Sequence, residues 1–264
     1  SESCTGTQFA KIWTHVGMVT INGEKMSKSL GNIKSIKHVL ENWGPNIIRL
    51  FCLSGHYSKP IDYSENLLQE NLVRWRQIET SYYELILANE EGSINDLEDF
   101  AIQILEEFES GLKNNFNTPA ALSSFFKLIK RINEIAADDA LTKTTADKVL
   151  QVIKKMLEVL GLQVPTVSDE EKIVINNLIE KRNELRKQGK FQEADMVRDE
   201  ILKMDVILFD HKKRTTWIVK EKIKDEIKEE IKGIIYEHRG YRIRLCRAGH
   251  WSVPGRLGPQ SYLC

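Results

Sequence analysis

The stretch GMVTINGEKMSKSLGN, residues 17–32, decides how the rest of the chain is interpreted. It overlaps an apolar, β-branched run, IWTHVGMVTI at residues 12–21, and such a run is typical of a β-strand. The following Asn-Gly at residues 22–23 is the commonest two-residue signal of a β-hairpin. The sequence therefore predicts a strand, a tight turn and a short return strand. The return strand leads into KMSKS, residues 25–29, which we expect to be a mobile loop at a sheet edge.

Two lysines and two serines in one short loop suggest a site for phosphate groups. A lysine is a compact charge on a flexible stem that can follow phosphate oxygens. Serine hydroxyls and backbone N–H groups can complete such an anion cradle. The alternative is a solvated hairpin tip that happens to hold two lysines, and a five-residue match alone does not exclude it.

The composition is that of an ordinary folded protein. Of the 264 residues 41% are hydrophobic, which is enough for a core within one large domain or several smaller ones. Lys and Arg number 38, as do Asp and Glu, so any site for a polyanion has to be local. Four widely spaced cysteines without a C-x-x-C pair predict a reduced, cytoplasmic chain without a metal site. No apolar run has the length of a membrane span, so we expect no membrane role.

Helical periodicity dominates the chain from Ser35 onward. A first helical segment breaks at residues 43–45, and SGHYSKPIDYSE, residues 54–65, predicts a turn-rich connector. Beyond it we expect four helices of an antiparallel bundle, the third capped by Thr118 and the fourth ended by Gly161. The predicted helices span residues 64–90, 97–112, from 117 onward, and 145–160.

The segment GLQVPTVSDEE, residues 161–171, is the clearest domain boundary. After it the pattern predicts a helical hairpin that turns at Gly189, a short strand, a solvated charged helix and an unstructured end. These elements span residues 171–188 with 191–203, then 206–209, 220–232 and 247–264.

With its flanks, the loop resembles the second signature of the class I aminoacyl-tRNA synthetases, which has the sequence KMSKS. Along nearly all of residues 1–217 the chain is similar to the cysteinyl-tRNA synthetase family. The resemblance rests on the order and spacing of IWTHVGMVTINGEKMSKSLGN, SGHYSKPIDYSE, FNTPAAL, QEADMVRDEIL and a closing TTW.

The resemblance implies a mainly α fold: a remnant of an α/β catalytic domain with the KMSKS loop, then a helical bundle and a small C-terminal anticodon-binding domain. The family's nucleotide-binding sheet and first signature precede the point where this sequence begins, so we expect a C-terminal portion of a synthetase. The expected parts are the catalytic remnant at residues 1–33, a connector contacting the acceptor stem at 34–66, the bundle at 67–165, the anticodon-binding domain at 166–220, and a charged helix and tail at 221–264.

The implied function is that of a cysteine–tRNA ligase, which activates cysteine with ATP and transfers it to tRNA(Cys). ATP, with Mg, cysteine and tRNA(Cys) are the implied ligands, and this chain alone is expected to be inactive. Zinc serves the full-length family, but its ligands are absent here. The implied catalytic residues are Lys25 and Lys28; the implied ATP-binding residues are Lys25, Met26, Ser27, Lys28 and Ser29; the implied anticodon contacts are Arg186, Phe191, Asp195 and Asp210.

Two other functions stay open at this point. One is a non-catalytic tRNA-binding protein derived from a synthetase. The other is the related ligase that joins cysteine to an amino sugar in mycothiol synthesis, which lacks a tRNA-reading end, so residues 186–217 argue against it.

Structural roles also stay open for single residues. Phe191 can plug the helical hairpin, Asp195 can pair with a neighbouring basic residue on the helix, and Trp217 is expected to pack inside the small domain. Asp205 and Arg214 stand where the family commonly has glycine, which predicts a strained or shifted corner.

Overall fold

The computed structural model describes residues 2–88, 96–138, 140–211 and 214–219. All of these belong to one compact unit, Ser1–Asp225. The predicted charged helix at residues 220–232 and the predicted unstructured end lie outside the described residues.

The first part of the chain forms a three-stranded sheet, and two helices separate its second and third strands in the sequence. The strand that comes first in the sequence lies in the middle of the sheet, antiparallel to the second strand and parallel to the third. The predicted hairpin is confirmed: Asn22 and Gly23 have φ angles of 54° and 78°, as a two-residue turn with left-handed residues requires. The strands are β1 (Val19–Ile21), β2 (Glu24–Lys25) and β3 (Ile61–Tyr63), after a short helix α1 (Glu2–Thr5).

One expectation for this sheet was wrong. The predicted strand over residues 12–21 begins only at Val19, because the partner strands are two and three residues long and pair only with residues 19–21. The turn-rich connector at residues 54–65 also contains β3, which was not predicted. Its pairing partner is about 40 residues away in the sequence, so no local pattern marks it.

The four helices between residues 65 and 160 form the predicted bundle, and two shorter helices precede them in the sequence. The break at residues 43–45 is confirmed, and Gly44 with φ of 79° separates the first two helices. Trp75 and Phe125 are fully buried at the centre, on helices that are apolar on one face. The helices are α2 (Ile36–Trp43), α3 (Pro45–Ser54), α4 (Glu65–Ile86), α5 (Leu97–Lys113), α6 (Thr118–Ala137) and α7 (Lys143–Leu160).

The helix ends confirm one predicted cap and correct another. Gly161 ends α7 in a left-handed conformation, with φ of 67°. Thr118 is not the cap of α6: the Asn117 side chain accepts a hydrogen bond from the Ala120 N–H, and Asn117 is the N-cap. Asparagine is at least as good a cap as threonine, and its carbonyl takes this role one residue earlier.

The last part is a helical hairpin followed by a β-hairpin. Helix α8 (Asp169–Lys187) begins with a capping box between Ser168 and Glu171, and α9 (Phe191–Lys203) follows a turn at Gly189 with φ of 76°. Strand β4 (Val206–Asp210) pairs with the antiparallel strand β5 (Thr215–Val219), which contains the TTW motif and was not predicted as a strand. Asp205 adopts a left-handed φ of 59°, which confirms strain at that corner.

Within the described ranges, none of the helices combines the length and apolar content that crossing a membrane needs.

Candidate functional site

The KMSKS loop is closed by one asparagine side chain. The Asn32 carbonyl Oδ1 accepts a hydrogen bond from the Ser27 N–H at 2.9 Å, and its Nδ2 donates to the Lys25 carbonyl at 3.3 Å. Gly31 completes a turn by donating its N–H to the Lys28 carbonyl at 3.2 Å. Asn32 therefore joins the two ends of the loop.

The loop presents its cationic side chains to solvent. Lys25, Lys28 and Ser29 are exposed, whereas Met26 and Ser27 are partly buried. The Ser27 and Ser29 hydroxyl oxygens lie 3.2 Å apart. Flexible cations on a closed backbone turn can approach and follow an anion, as a phosphate site requires.

The connector fixes the base of this loop through Asp62. Asp62 Oδ1 accepts hydrogen bonds from the Thr20 hydroxyl at 2.6 Å and from the Gly23 N–H at 2.9 Å. These two bonds lower the pKa of the Asp62 carboxyl below its usual value. The turn that leads into KMSKS is thus held by a charged acceptor from β3.

A close backbone contact adds to this anchorage. The Gly17 N–H donates to the Tyr57 carbonyl at 2.8 Å, and a Cβ on Gly17 would lie 2.0 Å from the Lys59 carbonyl oxygen. No side chain fits there, so only glycine allows the approach. The Tyr57 hydroxyl in turn donates to Asn115 Oδ1 at 2.8 Å, which links the connector to the bundle.

A second polar cluster surrounds Asp210 at the end of β4. The Arg182 guanidinium donates to both carboxylate oxygens, from Nη1 to Oδ1 at 2.9 Å and from Nη2 to Oδ2 at 2.6 Å. Arg186 Nη1 donates to Oδ2 at 3.0 Å, and the Thr215 hydroxyl donates to Oδ1 at 3.0 Å. Burial acts to raise the pKa of Asp210, but the hydrogen bonds and charge of Arg182, with Thr215 and Arg186, outweigh it and hold the pKa well below its usual range.

The remaining expected RNA contacts lie at the surface of α9. Phe191, the first residue of α9, is 63% exposed, so its ring does not fill the space inside the helical hairpin. Asp195 is also exposed on this helix. The structure thus brings Arg186 and Asp210 into direct contact and leaves the ring of Phe191 open to solvent.

A buried cluster joins the β-hairpin to the bundle. The Glu84 carboxylate, 3% exposed, accepts hydrogen bonds from Arg214 at 2.7 Å and from the Thr216 hydroxyl at 2.7 Å. His211 Nε2 lies 2.9 Å from the same carboxylate and 2.8 Å from the Thr216 hydroxyl. Arg214 also donates to the Leu87 carbonyl at 3.0 Å. Arg214, which stands where the family commonly has glycine, therefore connects the β-hairpin to the C-terminal end of α4.

Three residues of these sites had no individual role predicted from the sequence. Arg182 is one of five basic residues near the helical turn that the sequence marks as a possible RNA-binding cluster, and only the fold shows that it binds Asp210. The members of this basic cluster are Lys181, Arg182, Arg186, Lys187 and Lys190. Asn32 and Asp62 act through contacts that cross a turn or join two strands. The sole sequence signal for them is that Asn and Asp side chains often bond backbone groups at turns.

In the described part of the chain, no three His, Cys, Asp or Glu side chains are grouped so that they could hold a metal ion. Cys4 is an exposed free thiol.

Two protein-family models match parts of this chain. The family model described as "tRNA synthetases class I (C) catalytic domain" matches residues 1–73, which include the KMSKS loop and the connector. The model of the DALR domain matches residues 107–164, which include the end of α5 and all of α6 and α7.

Curated relatives cover more of the chain. A cysteine–tRNA ligase of Bacillus velezensis is 36% identical over 226 residues, 82% of this chain and 47% of the relative. That of Geobacillus sp. is 36% identical over 224 residues, with the same coverage of 82% and 47%. That of Caldicellulosiruptor saccharolyticus is 35% identical over 217 residues, 80% of this chain and 46% of the relative. The chain thus spans about half the length of the curated relatives it matches.

A solved structure gives a weaker likeness. The chain of a ternary LeuRS-tRNA-LeuAMS complex of Agrobacterium radiobacter K84 is 19% identical, with a TM-score of 0.43 over 54% of this chain and 20% of that chain. No conclusion depends on it.

The catalytic-domain match around the KMSKS loop identifies the class of protein as the class I aminoacyl-tRNA synthetases. Within this class the chain belongs to the cysteine–tRNA ligase family, as the resemblance of its motifs predicted. The expected mainly α fold is also confirmed, because most of the described residues lie in helices.

Proposed function

We propose that this chain supplies the ATP-phosphate loop and the tRNA-binding end of a cysteine–tRNA ligase. The observation that carries the proposal is the similarity to cysteine–tRNA ligases over 226 residues and 82% of this chain. The catalytic-domain match over residues 1–73 contains the KMSKS loop. The substrates are ATP, as its Mg complex, cysteine and tRNA(Cys), all of which meet in the cytoplasm.

The loop acts on the activation step. The cysteine carboxylate attacks the α-phosphorus of ATP, which forms the cysteinyl adenylate and releases pyrophosphate. Lys28 stabilises the negative charge that develops on the leaving pyrophosphate, and Lys25 supports it. Met26, Ser27 and Ser29 complete the ATP-binding loop, and the exposure of both lysines is what such an approach to phosphate needs.

The small C-terminal part acts in tRNA recognition. Arg186, Phe191, Asp195 and Asp210 form the anticodon-binding site, where unpaired bases are read by stacking and by hydrogen bonds to their edges. The open ring of Phe191 suits stacking, which contributes about 1–3 kcal/mol per base. The exposed basic residues near the end of α8 and in the following turn add a salt-dependent attraction to phosphates; they are Lys181, Arg186, Lys187 and Lys190.

The proposed parts keep the expected bounds, with the catalytic portion at residues 1–33, the connector at 34–66, the bundle at 67–165 and the anticodon-binding domain at 166–220.

The activation role is tested in a fusion protein. This chain is joined to the part of a cysteine–tRNA ligase relative that it does not match. Lys28→Ala should slow cysteine-dependent ATP–pyrophosphate exchange by about 100-fold, because one charge-stabilising donor is lost. Binding of tRNA(Cys) should stay the same. Lys34→Ala, an exposed lysine beyond the loop, is the matched control and should leave exchange unchanged. An unchanged exchange rate for Lys28→Ala contradicts the assignment.

The tRNA role is tested on the chain alone. It should bind tRNA(Cys) more tightly than a transcript with an altered anticodon in a filter-binding titration, and form no adenylate. Equal affinity for the two transcripts contradicts the anticodon assignment. If the completed protein also lacks exchange activity while the preference for tRNA(Cys) persists, the non-catalytic tRNA-binding alternative is favoured.

A further inference from the structure

Asp210 already accepts four hydrogen bonds from the protein itself. An ionised carboxylate offers about four acceptor sites. Arg182 fills two of them, Arg186 a third and the Thr215 hydroxyl the fourth. The Asp210 side chain is 44% exposed, but a hydrogen bond from a base edge would compete with one of these four donors.

The two arginines bound to Asp210 differ in burial. Arg182 and Arg186 are one helical turn apart on α8 and so point to the same side of the helix. The Arg182 side chain is 4% exposed, whereas that of Arg186 is 48% exposed. Removing the carboxylate from Arg182 would leave a buried charge without its partner, which is strongly unfavourable. Asp210 is therefore committed to Arg182.

Arg186 has N–H donors that Asp210 does not use. It uses Nη1 for Asp210, and a guanidinium carries five N–H donors in a fixed plane. Its exposed side chain leaves the remaining donors open to an acceptor from outside. The contact to Asp210 restricts the orientations of the guanidinium before RNA arrives, which lowers the entropy cost of binding.

We propose that Arg182 is a positioning residue for RNA recognition: it clamps Asp210, which orients Arg186, and Arg186 supplies the donors that contact an unpaired base. The inference rests on the proposed function and assigns different roles to residues of the same site. Asp210 acts through Arg186 and does not itself contact the base.

The competing explanation is that the Arg182–Asp210 pair only closes α8 onto β4. In that case its loss weakens folding and lowers the affinity for every RNA alike. If Asp210 instead contacts the base directly, its loss removes discrimination whether or not Arg186 is present. The three explanations differ in how the effects of two substitutions combine.

The experiment measures the ratio of Kd values for a transcript with an altered anticodon and for tRNA(Cys), in a set of variants of this chain. Arg182→Lys keeps the charge but loses the two-pronged contact. It should reduce the ratio by about tenfold, the effect of one lost base contact. In an Arg186→Ala background the same substitution should cause no further reduction.

A second variant covers the case in which Arg182→Lys does not fold. Asp210→Asn preserves the shape of the side chain, and its effect on the ratio should likewise vanish in the Arg186→Ala background. Arg76→Lys is the matched control: it weakens the pair with the buried Glu79 inside α4 and should lower the melting temperature while the Kd ratio stays unchanged.

The outcomes separate the two levels of the proposal. A wild-type ratio near one overturns the proposed anticodon reading and the inference with it. A clear wild-type ratio that Arg182→Lys leaves intact overturns the inference alone. So does an effect of Arg182→Lys or Asp210→Asn that persists at full size in the Arg186→Ala background.

Discussion

Trp217 of β5 packs against Tyr83 of α4, with ring centroids 5.2 Å apart. The Trp217 indole donates to Asn176 Oδ1 at 3.1 Å, and the Tyr83 hydroxyl donates to the Pro165 carbonyl at 2.7 Å. Both rings are buried. The two hydrogen bonds satisfy the polar atoms of the rings, and their apolar faces pack against each other. This contact places the β-hairpin that carries Asp210 directly on the bundle.

The Trp217 contact predicts a large stability effect. Trp217→Ala should lower the free energy of unfolding by about 3–5 kcal/mol, because a fully buried indole leaves a cavity. Trp13→Ala removes an indole that is 69% exposed and should change it by less than about 0.5 kcal/mol. Urea denaturation measures both, and similar values for the two variants would contradict the packing described here.

The Asp210 cluster predicts a dependence of stability on pH. The folded-state pKa of Asp210 is below the value of about 3.9 for an unfolded chain, so the carboxylate stabilises the fold above that pH. This contribution is lost as the pH falls below about 4 toward the folded-state pKa. Asp210→Asn should therefore be less stable than the wild type at pH 7, and the difference should shrink at acid pH. A difference in unfolding free energy that stays constant down to pH 3 argues against the ion pairs.

The close approach of Gly17 predicts a local effect on the sheet. Gly17→Ala places a methyl group 2.0 Å from the Lys59 carbonyl oxygen, so β1 and β3 must separate. Hydrogen exchange of the Ile61 N–H, which donates to the Met18 carbonyl at 3.0 Å, should become faster. Gly6→Ala is the control: its Cβ meets no atom within 4 Å, so only the strain of its φ of 66° remains. That variant should leave Ile61 exchange unchanged.

Asn32 provides a test of how the KMSKS loop is closed. Asn32→Ala removes the acceptor of the Ser27 N–H and should speed its hydrogen exchange by about two- to tenfold, the usual worth of one hydrogen bond. Asn42→Ala removes an amide that contacts only the exposed His38 ring in the described structure, and it should not affect Ser27. Unaltered Ser27 exchange in Asn32→Ala shows that the loop is closed by other contacts.

The sequence predicted the helices better than the strands for a physical reason. In α4 and α7 an apolar stripe with helical period runs over about 20 residues, and burial of that stripe agrees with the local preference. The strands β3 and β5 are three and five residues long and depend on partners that local patterns do not identify. Helix faces are local properties, whereas strand pairing is settled by the fold.

The same distinction applies to the candidate sites. The KMSKS loop and the basic cluster on α8 are contiguous or periodic in sequence, and their residue types suggest anion binding. The pairing of Arg182 with Asp210 joins positions 28 residues apart, and the contacts of Glu84 with Arg214 join positions 130 residues apart. Among several arginines and carboxylates, only the tertiary structure selects the partners.

The contact between Glu84 and Arg214 also affects the order in which these two residues can be substituted during evolution. The resemblance indicates glycine where Arg214 stands, and Glu84 is a buried carboxylate whose charge Arg214 balances. A return to glycine as the first step would remove the guanidinium and leave the buried carboxylate with only its contacts to Thr216 and His211. Breaking a buried ion pair costs about 3–5 kcal/mol, which is a large share of the stability of an ordinary domain. A change of Glu84 first leaves a long arginine buried without its carboxylate. Each residue therefore protects the other from replacement, and a lineage that has acquired the pair retains it unless both positions change together.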